Sequence, residues 1–362
     1  MDLFEHTSIQ SILFFVLYGI TGVVPLIAAI YLLLRRANAI APGVTPPVRL
    51  RWWTAAFFGV STLAHVWWLL FYIFDRDLHS VGYLVLVMAD CVLLFTAFAG
   101  MLLAMLQDRR RPVWPALAAV IPFVLLGGAY MIYPNSQLKE FAAAYLLLLG
   151  MLFTGYMVVA IHRYERWLND NYADLENKRV WLIQTVALVC MLLFMLYVLA
   201  IDMVLLWIIH FIGLVLVGLL LWRVETLPLL AEPSPLTSPP SPLTSNIDLS
   251  HIEELLKKRC VAQQLYLQQD LTLEELAQAI GTNRSYLSQY FSRQGITYNI
   301  YINNLRINHF ISRYQEVVLT KQPFTVQQLA SESGYRSYST FSLAFKQRTG
   351  QIVSAWMRQP IE

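Results

Sequence analysis

Residues 271–295 have the sequence LTLEELAQAIGTNRSYLSQYFSRQG, and residues 324–350 have the sequence FTVQQLASESGYRSYSTFSLAFKQRTG. The second stretch repeats the first, because Thr272 and Gly281 recur 53 residues later as Thr325 and Gly334. Each copy begins with a Thr followed three residues on by Glu or Gln, which is the capping box of a helix start. Each first helix ends at a Gly, which permits a left-handed turn, and a second helix follows. The sequence therefore predicts two helix-turn-helix units.

The repeat also predicts which residues form helices. Leu287 and Phe291 in the first copy correspond to Phe341 and Phe345 in the second. One more helix precedes the first copy, and another joins the two copies. The predicted helices are Leu249–Leu267, Leu273–Ile280, Arg284–Arg293, Tyr298–Tyr314, Val326–Ser333 and Tyr338–Gln347.

The charge of this region points to a nucleic-acid partner. Nine basic and two acidic residues lie between Arg284 and Arg358, whereas Asp248–Glu275 carries six acidic and three basic residues. Positive charge concentrated on the repeat is typical of a surface that contacts DNA phosphates. Since the second helix of such a unit enters the major groove, we expect double-stranded DNA to be the partner of this region.

The region from Tyr266 to Arg358 resembles the AraC/XylS family of transcription regulators. The most specific part of the resemblance is in the second copy, which contains Gly334-Tyr335, Phe345-Lys346 and Thr349-Gly350. The first copy is similar to that of membrane-attached members of the family. The resemblance implies a bacterial regulator whose two helix-turn-helix subdomains bind adjacent major grooves.

The resemblance also implies which side chains face DNA. Leu343 stands where many relatives place Arg, and Gln289 is suited to pair with adenine. The expected base-facing residues are Ser285, Ser288, Gln289, Tyr338, Ser339 and Ser342, and those expected nearer the phosphates are Arg284, Arg293, Arg336, Ser337 and Lys346. The resemblance also implies that Leu287, Phe291, Phe341 and Phe345 are buried in the core.

The rest of the chain has the composition of a membrane protein. Of the 362 residues, 57% are hydrophobic and only 14% are charged. Residues 1–223 contain seven apolar runs long enough to cross a bilayer, which needs about 20 residues. We therefore predict an all-α protein in which a seven-helix bundle precedes the helix-turn-helix domain. The predicted spans are Ile9–Leu34, Trp52–Phe74, Ser80–Leu106, Val113–Tyr133, Phe141–Ile161, Val180–Ile201 and Met203–Trp222, with the turn between the last two at Asp202.

Loop charges predict the orientation of these spans. One set of loops carries 12 basic residues, and the opposite set carries only Arg76 and Lys139. Basic loops stay in the cytoplasm, so we expect the N-terminus outside and the chain leaving the last span inside. The N-terminus lacks the basic start and cleavage site of a signal peptide. These features predict a multi-pass protein of the cytoplasmic (inner) membrane, with the lipid bilayer as a partner.

Three ionisable residues lie at similar depth within the predicted spans. His65, Asp90 and His210 suggest three alternatives: an Asp–His hydrogen bond that fixes helix packing, a ligand site open to the outside, or a metal or proton relay. A retinal-type pigment is disfavoured, because residues 180–222 contain no Lys.

Two further segments separate or connect the domains. Residues 224–247 contain six prolines and predict an extended Pro/Ser-rich linker between the bundle at 1–223 and the DNA-binding domain at 248–362. The mixed-charge stretch His162–Arg179 predicts a solvated helical extension of the neighbouring spans, and contact with the soluble half remained an alternative.

Three functions are consistent with this organisation. The leading hypothesis is a membrane-bound regulator that binds DNA under control of an extracellular or membrane-borne signal, acting through homodimerisation. The alternatives are a transporter or membrane enzyme with a regulatory tail, and a bundle that acts only as an anchor. The sequence contains no catalytic triad, zincin motif or phosphate loop, and its three cysteines show no paired spacing. We therefore expect no enzyme activity, catalytic residues, metal site or cofactor.

Overall fold

A computed structural model describes residues 9–35, 38–74, 77, 80–200, 203–230 and 249–359. Its regular secondary structure is helical throughout these ranges, which confirms the all-α prediction for them. The chain divides into two compact units. One contains Met1–His162 and Val180–Pro233, and the other contains Arg163–Arg179 and Ser234–Glu362.

The first unit is built from long apolar helices. Six of them are long and apolar enough to cross a membrane, while α6 has a shorter described apolar stretch, Trp181–Leu193. The count of seven spans therefore stays a prediction. The helices are α1 (Ile9–Leu34), α2 (Val48–Phe74), α3 (Val81–Met105), α4 (Trp114–Ile132), α5 (Ser136–Asn171), α6 (Trp181–Ala200) and α7 (Met203–Thr226).

Three of these helices differ from the sequence prediction by four residues or more. Helix α2 begins at Val48 and not at Trp52, and α5 begins at Ser136 and not at Phe141. Helix α5 continues ten residues beyond the predicted end at Ile161 and reaches about 54 Å at helical rise.

The predicted helical extension is confirmed for α5 up to Asn171, but Tyr164 and Leu168 within it are buried and not solvated. No helix extends α6 on its N-terminal side, since residues 172–180 are not helical. Helix α7 runs through Thr226, past the predicted end at Trp222. The predicted turn at Asp202 and most of the predicted linker, residues 231–248, lie outside the described residues.

Polar contacts hold the C-terminal end of α7 within the first unit. The carboxylate of Glu225, which is buried, accepts hydrogen bonds from the backbone N–H groups of Ala39 (2.9 Å) and Ile40 (2.7 Å). The Asn38 side chain donates to the Glu225 carbonyl at 2.9 Å. Since a buried carboxylate is stable only with such donors, these bonds fix the path of the chain as it leaves α7.

The second unit contains the repeat. Helix α8 is shorter than the predicted Leu249–Leu267, because the chain widens into a π-helical turn at Leu256–Val261 and Gln264 adopts a left-handed conformation. A short 3₁₀ turn, Leu265–Leu267, follows. The helices are α8 (Leu249–Leu255), α9 (Leu273–Ile280), α10 (Arg284–Arg293), α11 (Tyr298–Leu319), α12 (Val326–Glu332), α13 (Tyr338–Thr349) and α14 (Val353–Trp356).

The two copies form separate hydrophobic cores. Leu287 and Phe291 lie in the first core, and Phe341 and Phe345 lie in the second, so the prediction that these four are buried is confirmed. Helix α11 contributes residues to both cores and extends five residues beyond the predicted end at Tyr314. The two subdomains therefore share one connecting helix.

The predicted helix signals differ between the copies. In the first, Thr272 and Glu275 make both bonds of the capping box. In the second, the Thr325 side chain accepts from the Gln328 N–H, but the Gln328 side chain donates to Glu332 instead of completing the box. Gly281 and Gly334 have positive φ, at 83° and 86°, as the turn predicts.

Arg306 joins the two subdomains from within. The charge count groups it with the DNA-contacting basic residues, but its side chain is 1% exposed. Its guanidinium donates to the carbonyls of Tyr266 (2.7 Å) and Gln268 (2.6 Å) and lies 5.5 Å from the Tyr335 ring centroid. Burial lowers its pKa, but a guanidinium remains charged, so the surrounding carbonyls compensate the buried charge.

Candidate nucleic-acid interface

The first predicted recognition helix, α10, presents polar side chains to solvent. Asn283 caps it by accepting a hydrogen bond from the Tyr286 N–H at 2.8 Å, which the sequence analysis did not predict. Leu287 and Phe291 face the core, so the opposite face is free to contact a ligand. The expected DNA-facing residues of this helix that are exposed are Ser285, Ser288, Gln289 and Arg293.

The second predicted recognition helix, α13, begins with a cluster of hydroxyl groups. Ser337 is its N-cap, since its side chain accepts from the Thr340 N–H at 3.3 Å. The Ser337 hydroxyl also lies 2.9 Å from that of Ser339. Ser337 therefore has a structural function in addition to the DNA contact expected of it.

The remaining expected residues of this subdomain differ in exposure. Tyr338 and Lys346 are exposed, whereas Ser342 is half-buried. The exposed Arg336 lies 3.7 Å from Asp270, so its charge is partly offset before any phosphate binds.

A segment from the N-terminal half of the sequence covers the start of both recognition helices. This segment, residues 171–176, begins at the last residue of α5 and belongs to the second compact unit. The Arg284 guanidinium donates two hydrogen bonds to the Asn171 side-chain oxygen, at 2.9 and 2.6 Å. At α13, the Glu176 carboxylate accepts hydrogen bonds from Ser339 (3.3 Å) and Thr340 (3.0 Å). The 171–176 segment therefore contacts two of the residues expected to face DNA.

Further contacts fix the position of the middle of the 171–176 segment. The Asn299 side chain on α11 donates to the carbonyls of Tyr172 (3.1 Å) and Ala173 (2.7 Å). Ala173 is 1% exposed and lies in the core of the first subdomain. Tyr172 also pairs with Thr272 in an isolated antiparallel bridge. Packing and hydrogen bonding thus hold the 171–176 segment at one defined place.

Opposite charges surround the end of this segment. The ammonium group of Lys178 lies 5.5 Å from the centroid of the Tyr172 ring. Burial lowers the pKa of Lys178, while nearby Asp174 opposes that shift by favouring the charged form. Asp174 is itself buried, so this acidic and basic cluster is partly removed from water.

The three ionisable residues of the predicted spans do not all meet. The imidazole rings of His65 and His210 have centroids 5.7 Å apart, and the Tyr18 ring contacts both, at 4.8 and 5.6 Å. Asp90 instead accepts a hydrogen bond from the Trp68 indole. Of the three alternatives, the Asp–His hydrogen bond is therefore absent from the described residues, since the Trp68 indole donates to Asp90 Oδ2 and neither histidine donates to this carboxylate. The proposed ligand site at these residues stays a prediction.

Sequence reasoning missed the contribution of the 171–176 segment to this surface. Asn171 and Arg284 are 113 residues apart, and no local pattern links them. The one sequence feature that pointed to this contact was the mixed charge of residues 162–179, for which contact with the soluble half was an alternative interpretation. Asn283 was also missed, although an Asn directly before a helix is a common N-cap.

Comparisons with known proteins agree with the architecture of the second unit. A family model described as a helix-turn-helix domain matches residues 276–359. Proteins named uncharacterized HTH-type transcriptional regulator in Staphylococcus aureus strains COL and MSSA476 are 28% identical over 100 residues. The matched region is 27% of this chain, and the chain spans only 13% of the length of these relatives. No solved structure matches the chain.

The geometry and the family model coincide. Residues 276–359 run from the middle of α9 to just beyond α14 and contain both recognition helices. The left-handed turns at Gly281 and Gly334 separate the two helices of each unit. The C-terminal region of this chain therefore contains a helix-turn-helix domain.

Proposed function

We propose that this chain is a membrane-bound transcription regulator that binds double-stranded DNA through α10 and α13. The observation that carries the proposal is the presence, in one chain, of two helix-turn-helix units and of helices apolar enough to cross a membrane. No enzyme activity is needed for this function, because occupancy of DNA is itself the output.

The surface chemistry of the two recognition helices supports DNA binding. In such motifs the N-terminal residues of the second helix contact base edges, and basic side chains contact phosphates. Gln289 is exposed on α10 and has the amide that pairs with adenine N6 and N7. Arg293 and Lys346, which are exposed near the helix ends, are suited to phosphates.

The exposed apolar side chains of the first unit support membrane attachment. Phe74 is 81% exposed, Leu125 67% and Phe211 65%, which is costly in water and favourable in lipid. The asymmetry of loop charge favours a cytoplasmic location for the helix-turn-helix domain. We propose that the protein lies in the cytoplasmic membrane with its N-terminus outside.

Control by a signal is the part of the proposal that concerns the helices of the first unit. A ligand or membrane property would bind or act near His65, Asp90 and His210 and change DNA occupancy. Self-association would increase the effect, because two tethered copies raise the local concentration of recognition helices.

Binding of the full chain in membrane vesicles to random-sequence duplexes at low salt tests the DNA-binding function. Lys346→Ala should weaken binding for all sequences and reduce the salt slope by about 1, the effect of losing one phosphate contact. Lys257→Ala is the matched control, since Lys257 is exposed on the π-helical turn outside both recognition helices. If neither the full chain nor its Glu176→Ala variant, which loses the segment's contacts with α13, binds any duplex at low salt, the proposed function is excluded.

A further inference from the structure

Both recognition helices contact the same segment of their own chain, the 171–176 segment. Its contacts lie at the start of each helix: Arg284 is the first residue of α10, and Ser339 and Thr340 are in the first turn of α13. These are the positions at which a helix-turn-helix unit meets DNA. We propose that the 171–176 segment competes with DNA for both recognition helices and holds the domain in an inhibited state. This inference rests on the DNA-binding function proposed above.

The chemistry of the segment matches that of the ligand it would replace. The N-terminal end of a helix attracts anions, because its N–H groups are unpaired and its dipole is positive there. The Glu176 carboxylate lies at the start of α13, where it accepts hydroxyl hydrogen bonds as a phosphate oxygen would. Asn171 offers an amide oxygen to Arg284, whose guanidinium otherwise suits a phosphate.

The spacing of these contacts makes one short segment sufficient to block both subdomains. Asn171 and Glu176 are five residues apart, a distance of at most about 18 Å when extended. The starts of α10 and α13 therefore open toward one surface. A DNA duplex on this surface would compete with the 171–176 segment for the hydrogen-bond donors of Arg284, Ser339 and Thr340.

The position of the segment in the sequence connects the inhibited state to the apolar helix α5, through which the proposed signal would act. The segment begins at the last residue of α5, a helix apolar enough to cross a membrane. Ala173 anchors the segment by burial in the first core, and Asn299 by hydrogen bonds. A change at α5 that withdraws these residues would free both recognition helices together.

Only molecules in which the segment is released can bind DNA. The apparent DNA affinity is therefore the intrinsic affinity multiplied by the fraction of released molecules. Removing contacts of the 171–176 segment should therefore tighten binding without touching the DNA-facing residues. Glu176→Ala removes the bonds to α13, and Glu316→Ala is the matched control. Glu316 pairs with Arg313 on α11, so both variants lose one negative charge.

A second pair of variants tests the α10 contact. Asn171→Ala removes the acceptor of Arg284, and Asn169→Ala is its control. Both asparagine side chains donate to the carbonyl four residues earlier, at 2.7 Å for Asn171 and 2.8 Å for Asn169. The two variants therefore lose the same local bond, and only Asn171→Ala also removes the acceptor that holds Arg284.

The experiment measures binding of each full-length variant in vesicles to the same random-sequence duplex pool at low salt. Glu176→Ala and Asn171→Ala should each bind about three- to tenfold more tightly than their controls, as expected for losing one or two hydrogen bonds of the inhibited state. Hydrogen exchange supplies a second measurement, because duplex binding should expose the amides of residues 171–176.

Three results would overturn the inference in distinguishable ways. If the original chain binds DNA, the variants bind no tighter than their controls and residues 171–176 stay protected, the segment is a permanent part of the domain. If the Glu176 and Asn171 variants bind more weakly than their controls, the segment supports the DNA-binding conformation. If neither the original chain nor any variant binds DNA, the proposed function itself fails, and the inference fails with it.

Discussion

Replacing Arg306 should destabilise the helix-turn-helix domain more than replacing any exposed basic residue of the repeat. Its guanidinium is buried between the two subdomains and donates to the carbonyls of Tyr266, Gln268 and Gln269. Arg306→Ala leaves these carbonyls without that donor and removes the stem that packs between the cores.

The magnitude follows from the geometry of these bonds. The contacts to Tyr266 at 2.7 Å and Gln268 at 2.6 Å are short, and the contact to Gln269 at 3.3 Å is weak. A hydrogen bond to a charged group contributes about 1.5–3 kcal/mol, so we expect a loss of about 3–5 kcal/mol. This is a large fraction of the roughly 5–15 kcal/mol by which a folded domain is stable.

Two further variants separate charge from geometry. Arg306→Lys keeps the positive charge but lacks the planar fork that reaches two carbonyls at once, so we expect an intermediate loss. Arg313→Ala removes an exposed Arg on the same helix, whose partners are Glu316 and Glu332, and should leave stability unchanged.

Hydrogen exchange of the full chain in detergent micelles measures these effects, because amides of α9 to α13 report local unfolding free energies. Arg306→Ala should lower the protection of both subdomains together. Equal protection of Arg306→Ala and Arg313→Ala would refute the reasoning, since the buried guanidinium would then contribute no more than an exposed one.

Three other perturbations test local features of the same domain by the same exchange measurement. Thr272→Ala should cost about 1 kcal/mol as a lost N-cap, and Thr325→Ala should cost less because its capping box is incomplete. Gly334→Ala should be clearly more destabilising than Gly295→Ala, because an added Cβ would lie 2.8 Å from a backbone oxygen only at Gly334. Burial holds the pKa of His309 below its ordinary 6.5, so stability should fall as the pH drops below about 6.5, and His309→Asn should reduce that fall. Equal effects within either pair, or an unchanged pH dependence, would contradict these expectations.

Local signals in the sequence predicted much of the second unit. Thr272 begins a helix by short-range capping bonds, and Gly281 ends it by its left-handed conformation, so their signals lie within a few residues. The ends of α10 agree with the predicted Arg284–Arg293, although its N-cap Asn283 was not predicted. The predicted helix Leu249–Leu267 was too long, because its apolar spacing did not reveal the π-helical turn that interrupts it.

The features that sequence reasoning missed depend on contacts between distant residues. Arg306 contributes to the positive charge of the repeat, and only the fold shows that three carbonyls surround it. A hydrogen bond from Asp90 to a histidine was one of three alternatives, and in the folded chain Asp90 accepts from the Trp68 indole instead. Glu176 and Ser339 are 163 residues apart, so their contact follows from tertiary structure alone.

A hydroxyl-radical footprint of the full chain in vesicles, on duplexes selected from a random pool by that chain, tests the central claim most directly. If α10 and α13 both enter major grooves on one face of DNA, the footprint should show two protected regions about 10–10.5 base pairs apart. Gln289→Ala should change the first region and leave the second, since this residue is on α10 alone. A single protected region, or none, would contradict DNA binding by both helix-turn-helix units.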